Sequence, residues 1–221
     1  MDTETLARSA LGSLWIKAIS AAMESRFRYR FFSPEKILSK SPLKEGQVVL
    51  EVGCGTGFFT IPAARLIGDR GRLIAMDILP ESVELVANKA KSAGLSNIQA
   101  IRGDALNTPL ESELFDAAIL YGLIPAPMLP LAPLLAEMHR VLKPTGALTV
   151  WPPVPGWLPR SVLRSGLFMR AERRKCVYNF VRADAPRSSA RPSPVVENLD
   201  ANGGPGGPVE EARCEDPGPR E

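Results

Sequence analysis

The residues best suited to chemistry are Glu51-Val-Gly-Cys-Gly-Thr-Gly57, set between the apolar run VVLEV at 48–52 and the helical pattern FFTIPAARLIG. Glycines in a strand-to-helix turn let the backbone bend sharply and let a ligand approach it closely. The first turn of the following helix has N–H groups without intrahelical acceptors, which can receive polar ligand atoms. A purely structural turn is the plain alternative. A dinucleotide site would need G-x-G-x-x-G, and from Gly53 that pattern requires glycine at 58, where the chain has Phe58. The spacing is instead G-x-G-x-G, with acidic Glu51 two residues ahead.

Further carboxylates follow at intervals. Asp77 closes the run RLIAMD, Asp104 follows NIQAIRG, and Asp116 opens FDAAILY. A carboxylate can accept several hydrogen bonds, so Asp77 and Asp104 suit hydroxyl or amine recognition; capping a helix and forming a turn are their structural alternatives. Asp116 is at least as well suited to placing its own strand. Tyr121 falls at the C-terminal end of a strand, where open α/β sheets hold ligands, and can either bond an acceptor or pack with Leu123 and Ile124. His139 lies inside a helical pattern beside Met138 and Val141, which favours a structural role.

The elements that must position these groups alternate. Short apolar strands are expected at 48–52, 72–78, 97–102, 115–121 and 147–151, with helices at 58–68, 81–94 and 130–142, the last closed by Lys143-Pro-Thr-Gly146. Strands alternating with helices imply βαβ units with right-handed crossovers. After Trp151 a loop with one short helix is followed by GLFMRAE and CVYNFVR, read as two antiparallel strands. Residues 1–22 form a weak helical pattern, RFRYRFF alternates basic and aromatic residues, and Ser33-Pro-Glu35 starts a short helix.

In this order and spacing, residues 48–151 resemble the class I S-adenosylmethionine-dependent methyltransferases, and the broader likeness runs from 34 to 182. VLEVGCGTGFFT resembles their first cofactor motif, and MDILP, GDAL, FDAAILY and HRVLKPTGAL resemble the later ones. The resemblance implies a doubly wound, Rossmann-like α/β fold with a mostly parallel seven-stranded sheet ending in an antiparallel hairpin. It implies S-adenosyl-L-methionine as cofactor, held by Glu51, the backbone of Gly53, Cys54, Gly55, Thr56 and Gly57, Asp77 at the ribose, Ile78 at the adenine face, and Asp104 with Ala105 at the adenine edge. Methyl transfer is then direct and in line; no catalytic residue is singled out, and Tyr121 is the candidate for the acceptor pocket.

Composition bounds the remainder. The chain has 221 residues, three cysteines without C-x-x-C spacing and a single histidine, so a cytoplasmic, reduced protein without structural metal is expected. The uncharged stretch Ala117–Ala136 is long enough to cross a bilayer, but its prolines at 125, 127, 130 and 133 argue against a transmembrane span. The formal charge of +3 divides into +7 for residues 1–182 and −4 for 183–221. Three units are expected: 1–45, an N-terminal helical extension or substrate-side cap; 46–182, the cofactor-binding domain; and 183–221, a disordered tail with seven prolines, five glycines and no aromatic residue.

The stretch after Tyr121 lacks the N/D-P-P-Y/F/W pattern of amino-methylating nucleic acid enzymes, while IPAPMLPL and PPVPGW suit an apolar acceptor or ordinary lid packing. A small-molecule or lipid-like acceptor is therefore favoured. RNA stays open as the second acceptor class because of RFRYRFF and the cations of 160–175. A noncatalytic cofactor-binding regulator and an NAD-dependent oxidoreductase are the remaining readings, and nothing in the sequence sets the oligomeric state.

Overall fold

The computed structural model describes residues 33–123, 129–152 and 160–183. Its elements are α1 (Pro34–Leu38), β1 (Val48–Val52), α2 (Thr60–Ile67), β2 (Arg72–Asp77), α3 (Pro80–Ser92), β3 (Ile98–Arg102), β4 (Phe115–Tyr121), α4 (Leu131–Val141), β5 (Leu142–Trp151), α5 (Arg160–Arg164), β6 (Phe168–Arg174) and β7 (Val177–Arg182). They build one seven-stranded sheet in the order β3-β2-β1-β4-β5-β7-β6. Strands β1 to β5 pair in parallel, whereas β7 runs antiparallel to both β5 and β6. The expected mixed sheet and closing hairpin are both present.

Alternation along the buried strands separates two cores. Leu50 and Val52 of β1, Ala118 and Leu120 of β4, and Leu148 and Val150 of β5 pack with Leu134, Met138 and Val141 of α4. On the opposite face, Val49, Ala117, Ile119 and Tyr121 pack with Phe59, Ala63 and Ile67 around α2, and with Ile37 and Leu38 of α1. Both faces of the sheet are covered, which explains why its strands read as nearly continuous apolar runs. No helix among the described residues is long and apolar enough to cross a membrane.

Several boundaries differ from the sequence expectation for local reasons. Helix α2 begins at Thr60 rather than 58 because the glycine turn extends that far, which places Pro62 in its first turn. Pro133 is likewise in the first turn of α4. Both prolines lack an N–H where no intrahelical acceptor exists, so neither breaks its helix. Lys143–Gly146 is not a separate turn: it is an irregularity within β5, between the pairs Phe115↔Leu142 and Ala117↔Ala147. The segment RFRYRFF, most of the 1–45 unit, Ile124–Met128, residues 153–159 and the tail from 184 onward lie outside the described residues.

Candidate active site

The chain runs outward from β1 to β2 and β3, then returns to lay β4 on the other side of β1. That reversal makes the C-terminal ends of β1 and β4 a topological switch point, where open α/β sheets hold ligands. Glu51, Asp77, Asp104 and Tyr121 come from the C-terminal ends of four different strands, or just beyond them, and therefore share this edge. A cavity of about 400 Å³ beside Asp69, Arg72, Asn97 and Gln99 lies at the opposite edge, among the N-terminal ends of β2 and β3.

The turn after β1 is tied to β2: the Gly53 and Cys54 amides both donate to the Met76 carbonyl, at 2.8 and 3.1 Å. Gly57 N–H donates to Cys54 O at 2.8 Å, and Gly55 N–H donates to Asp77 Oδ2 at 2.8 Å. Four of the five amides from Gly53 to Gly57 are thus already engaged inside the protein. The tight turn uses those hydrogen bonds to hold its shape. What this turn offers a ligand is close approach. Gly53 has φ +73°, and a Cβ there would stand 3.1 Å from Leu123 Cδ1; a Cβ on Gly57, at φ +80°, would stand 3.3 Å from Val86 Cγ2. The equivalent position above Gly55 is open, with no atom within 4 Å.

Glu51 is 3 % exposed, and its Oε2 is buried without a hydrogen-bond partner. Burial pushes its carboxyl up to about 8 against the opposing effect of the Thr60 hydroxyl, and repulsion from Asp77 adds to the rise. A buried polar atom left unpaired is costly, and the Thr60 hydroxyl, itself buried without a partner, is the donor within the fold that lies nearest this carboxyl. Asp77 is also raised above the ordinary carboxylate value, chiefly by burial. Its Oδ1 accepts the Leu79 amide at 3.0 Å and its Oδ2 the Gly55 amide at 2.8 Å. One carboxylate offers about four acceptor positions, so Asp77, with the Ile78 amide also beside it, fixes the residues before α3, supports the glycine turn and keeps some acceptor capacity.

The other expected residues have distinct settings. Asp104 Oδ1 accepts the Leu106 amide at 2.9 Å, which shapes the loop carrying half-buried Ala105. Ile78 is half-buried, and Cys54 and Thr56 are buried. Burial raises the Cys54 thiol far above its ordinary value, which keeps it protonated. Tyr121 is 5 % exposed and packs edge-on against Phe59, with ring centroids 5.0 Å apart. Its hydroxyl meets Thr149 Oγ1 at 3.0 Å; Thr149 in turn donates to Asn179 Oδ1, and Asn179 Nδ2 holds the Lys40 carbonyl. The phenol therefore braces β4, β5 and β7 against the segment after α1. Asp116 receives Val48 N–H and pairs with Lys143, and His139 Nε2 contacts Ala183 O at 2.8 Å. Both serve the scaffold.

Two contributions were not foreseen. Lys89 Nζ donates to Thr56 O at 2.8 Å and steadies the glycine turn from α3; its position three residues after Val86 puts both on one helix face, which was a usable signal. Glu137 Oε1 receives the Thr108 amide at 2.8 Å, the Thr108 hydroxyl at 2.7 Å and Arg140 at 2.6 Å, pinning the loop after β3 to α4. Those hydrogen bonds hold its carboxyl down to about 2. No local pattern announces a contact across 29 residues.

The buried, unpartnered oxygen of Glu51 and the remaining acceptor capacity of Asp77 fit a nucleoside that carries a cationic, donor-bearing group. Comparison with known proteins agrees. Residues 49–146 match a family model described as a methyltransferase domain. The chain is 38 % identical over 111 residues to demethylmenaquinone methyltransferase of Staphylococcus epidermidis, covering 50 % of this chain and 44 % of that one. It is 36 % identical over 120 residues to the enzyme of the same name from Listeria welshimeri, covering 52 % and 50 %. The chain spans about half the length of the curated relatives it matches. Its fold is shared with a SAM-dependent methyltransferase from Aquifex aeolicus, at TM-score 0.63 and 24 % identity over 75 % of this chain and 96 % of that one. Sheet order, the glycine turn with its flanking carboxylates and the matched model converge: residues 49–146 are similar to a methyltransferase domain, on a fold shared with SAM-dependent methyltransferases.

Proposed function

We propose that this chain transfers a methyl group from S-adenosylmethionine to a small, lipid-like acceptor of the quinone type. The observation that carries the cofactor site is the unpaired Glu51 oxygen beside Asp77 at the switch point of the sheet. The acceptor class rests on the relatives named demethylmenaquinone methyltransferase. When bound, the cofactor supplies a methyl carbon already activated by its sulfonium group.

The chain's own part is to bind and orient. Glu51 holds a proton until about pH 8 in its desolvated setting, and a cationic ligand beside it favours the ionised form. Asp77 accepts the ribose hydroxyls with the acceptor capacity that the Gly55, Ile78 and Leu79 amides leave unused. Asp104, Ala105 and Ile78 enclose the adenine, while Gly53 to Gly57 give the close backbone approach. Holding donor and acceptor in line supplies much of the rate advantage. Tyr121 acts by fixing the pocket wall, since its hydroxyl is committed to Thr149. The described end of the N-terminal unit is anchored where Asn179 holds the Lys40 carbonyl, which supports the reading of residues 1–45 as a helical extension or a substrate-side cap.

The decisive experiment incubates the protein with radiolabelled S-adenosylmethionine and separate lipid, RNA, protein and metabolite pools, then repeats it with a demethylated quinone. Label is expected in the lipid pool and on the quinone; label confined to RNA would overturn the acceptor reading. Asp77→Ala, followed by calorimetry, should weaken donor binding by roughly 10- to 100-fold, the loss of one or two hydrogen bonds to a charged group. Unchanged affinity would remove Asp77 from the site.

A further inference from the structure

The strongest surface feature outside the candidate active site is cationic. Residues 160–175 carry Arg160, Arg164, Arg170, Arg173, Arg174 and Lys175 against one acid, Glu172. All seven are exposed. Charge on an outer strand blunts unwanted pairing with other sheets, and β6 is such a strand. That purpose is served by either sign, however, and does not account for six cations against one anion.

The position of the cations adds a second constraint. Tyr121, at the C-terminal end of β4, pairs with Trp151 of β5. Its neighbour Val150 pairs with Tyr178 of β7, which in turn faces Arg173 of β6, and Arg174 faces Val177. The tip of the β6–β7 hairpin, Arg173-Arg174-Lys175, therefore lies at the same edge of the sheet as the candidate active site. The tip is braced: Arg173 donates through Nε to Lys175 O at 2.9 Å and lies 5.5 Å from the Tyr178 ring centroid. Arg174 pairs with Glu172 at 2.7 Å.

We infer that this hairpin tip docks the protein on an anionic lipid surface, so that the active-site edge faces the membrane from which a lipid-like acceptor is drawn. The inference rests on the proposed acceptor class. No large apolar side chain is exposed in residues 173–176, so the attachment is electrostatic and reversible rather than insertional.

The test uses the full chain with vesicles of phosphatidylcholine alone and of phosphatidylcholine mixed with phosphatidylglycerol. Binding should favour the anionic vesicles and disappear near about 0.5 M salt, where screening shortens to a few ångströms. Each cation near such a surface contributes on the order of fivefold, so the combined change Arg173→Gln, Arg174→Gln and Lys175→Gln should weaken binding by roughly 100-fold. The tip lies outside the cofactor site, so donor binding by calorimetry should stay unchanged in this variant and verify its fold. The variant should also methylate a short-chain, water-soluble quinone normally while losing activity on the same ring embedded in anionic vesicles. Equal binding to both vesicle types, or equal vesicle binding by variant and wild type, overturns the inference. So does a single-stranded RNA that binds more tightly than vesicles and depends on the same three residues, since the surface would then serve nucleic acid. Failure of every quinone to accept methyl would strike the acceptor reading alone, because vesicle binding is read independently of catalysis.

Discussion

Replacing Glu51 by Gln keeps the shape of a buried side chain and removes its ability to ionise. In the folded, ligand-free protein the carboxyl is raised from 4.5 to about 8, principally by burial. The folded state therefore retains a proton that the unfolded chain has released between those two values, and stability must fall as pH rises through that window. The contribution is fully present below pH 4.5, is lost progressively up to about pH 8, and does not change further above it. One pH unit is worth about 1.4 kcal/mol, so the span sets an upper bound of about 5 kcal/mol. Relaxation around the new charge reduces the realised value, and a loss of about 2–5 kcal/mol is expected for the wild type.

Urea unfolding of ligand-free wild type and Glu51→Gln across this pH range isolates that term, because every other titrating group is common to both proteins. The stability curves should diverge with increasing pH, the variant becoming the more stable protein in alkaline buffer. Binding gives an independent reading: near pH 7, calorimetry in buffers of different ionisation enthalpy should show close to one proton released when the wild type takes up the cationic donor, and none for the variant. Parallel stability curves within about 0.5 kcal/mol, together with no proton release by the wild type, would refute the assignment of a protonated, unpaired Glu51.

Tyr121→Phe should leave kcat within about twofold while lowering stability by about 1 kcal/mol, since the lost hydroxyl serves the Thr149 contact; a fall in kcat beyond about 100-fold would put the phenol at the reacting atoms. Glu137→Gln should destabilise by about 2–3 kcal/mol in neutral urea unfolding, because Arg140 and the Thr108 amide lose a charged acceptor. Glu137 is depressed to about 2, so its contribution is present above pH 4.5 and fades as pH falls toward 2, a slope that the variant should lack. Donor affinity should fall in the same variant as the loop bearing Asp104 and Ala105 loosens.

Much of this protein is determined locally. The apolar strand VVLEV, the three glycines after it and the acid at the end of β2 are short-range signals, and their order along the chain specified the alternation of strands and helices, the mixed sheet and its closing hairpin. Periodicity and turn chemistry act over a few residues, so they are legible in one dimension. The state of the site was decided by packing. Only the folded chain shows that the Gly53 and Cys54 amides belong to Met76, that Asp77 serves the turn and the residues before α3, and that the Tyr121 hydroxyl faces Thr149. The Glu137 clamp and the placement of the basic hairpin at the active-site edge also depend on residues far apart in sequence. Burial and hydrogen-bond partners are properties of neighbours in space, and those neighbours exist only once the sheet has brought distant strands together.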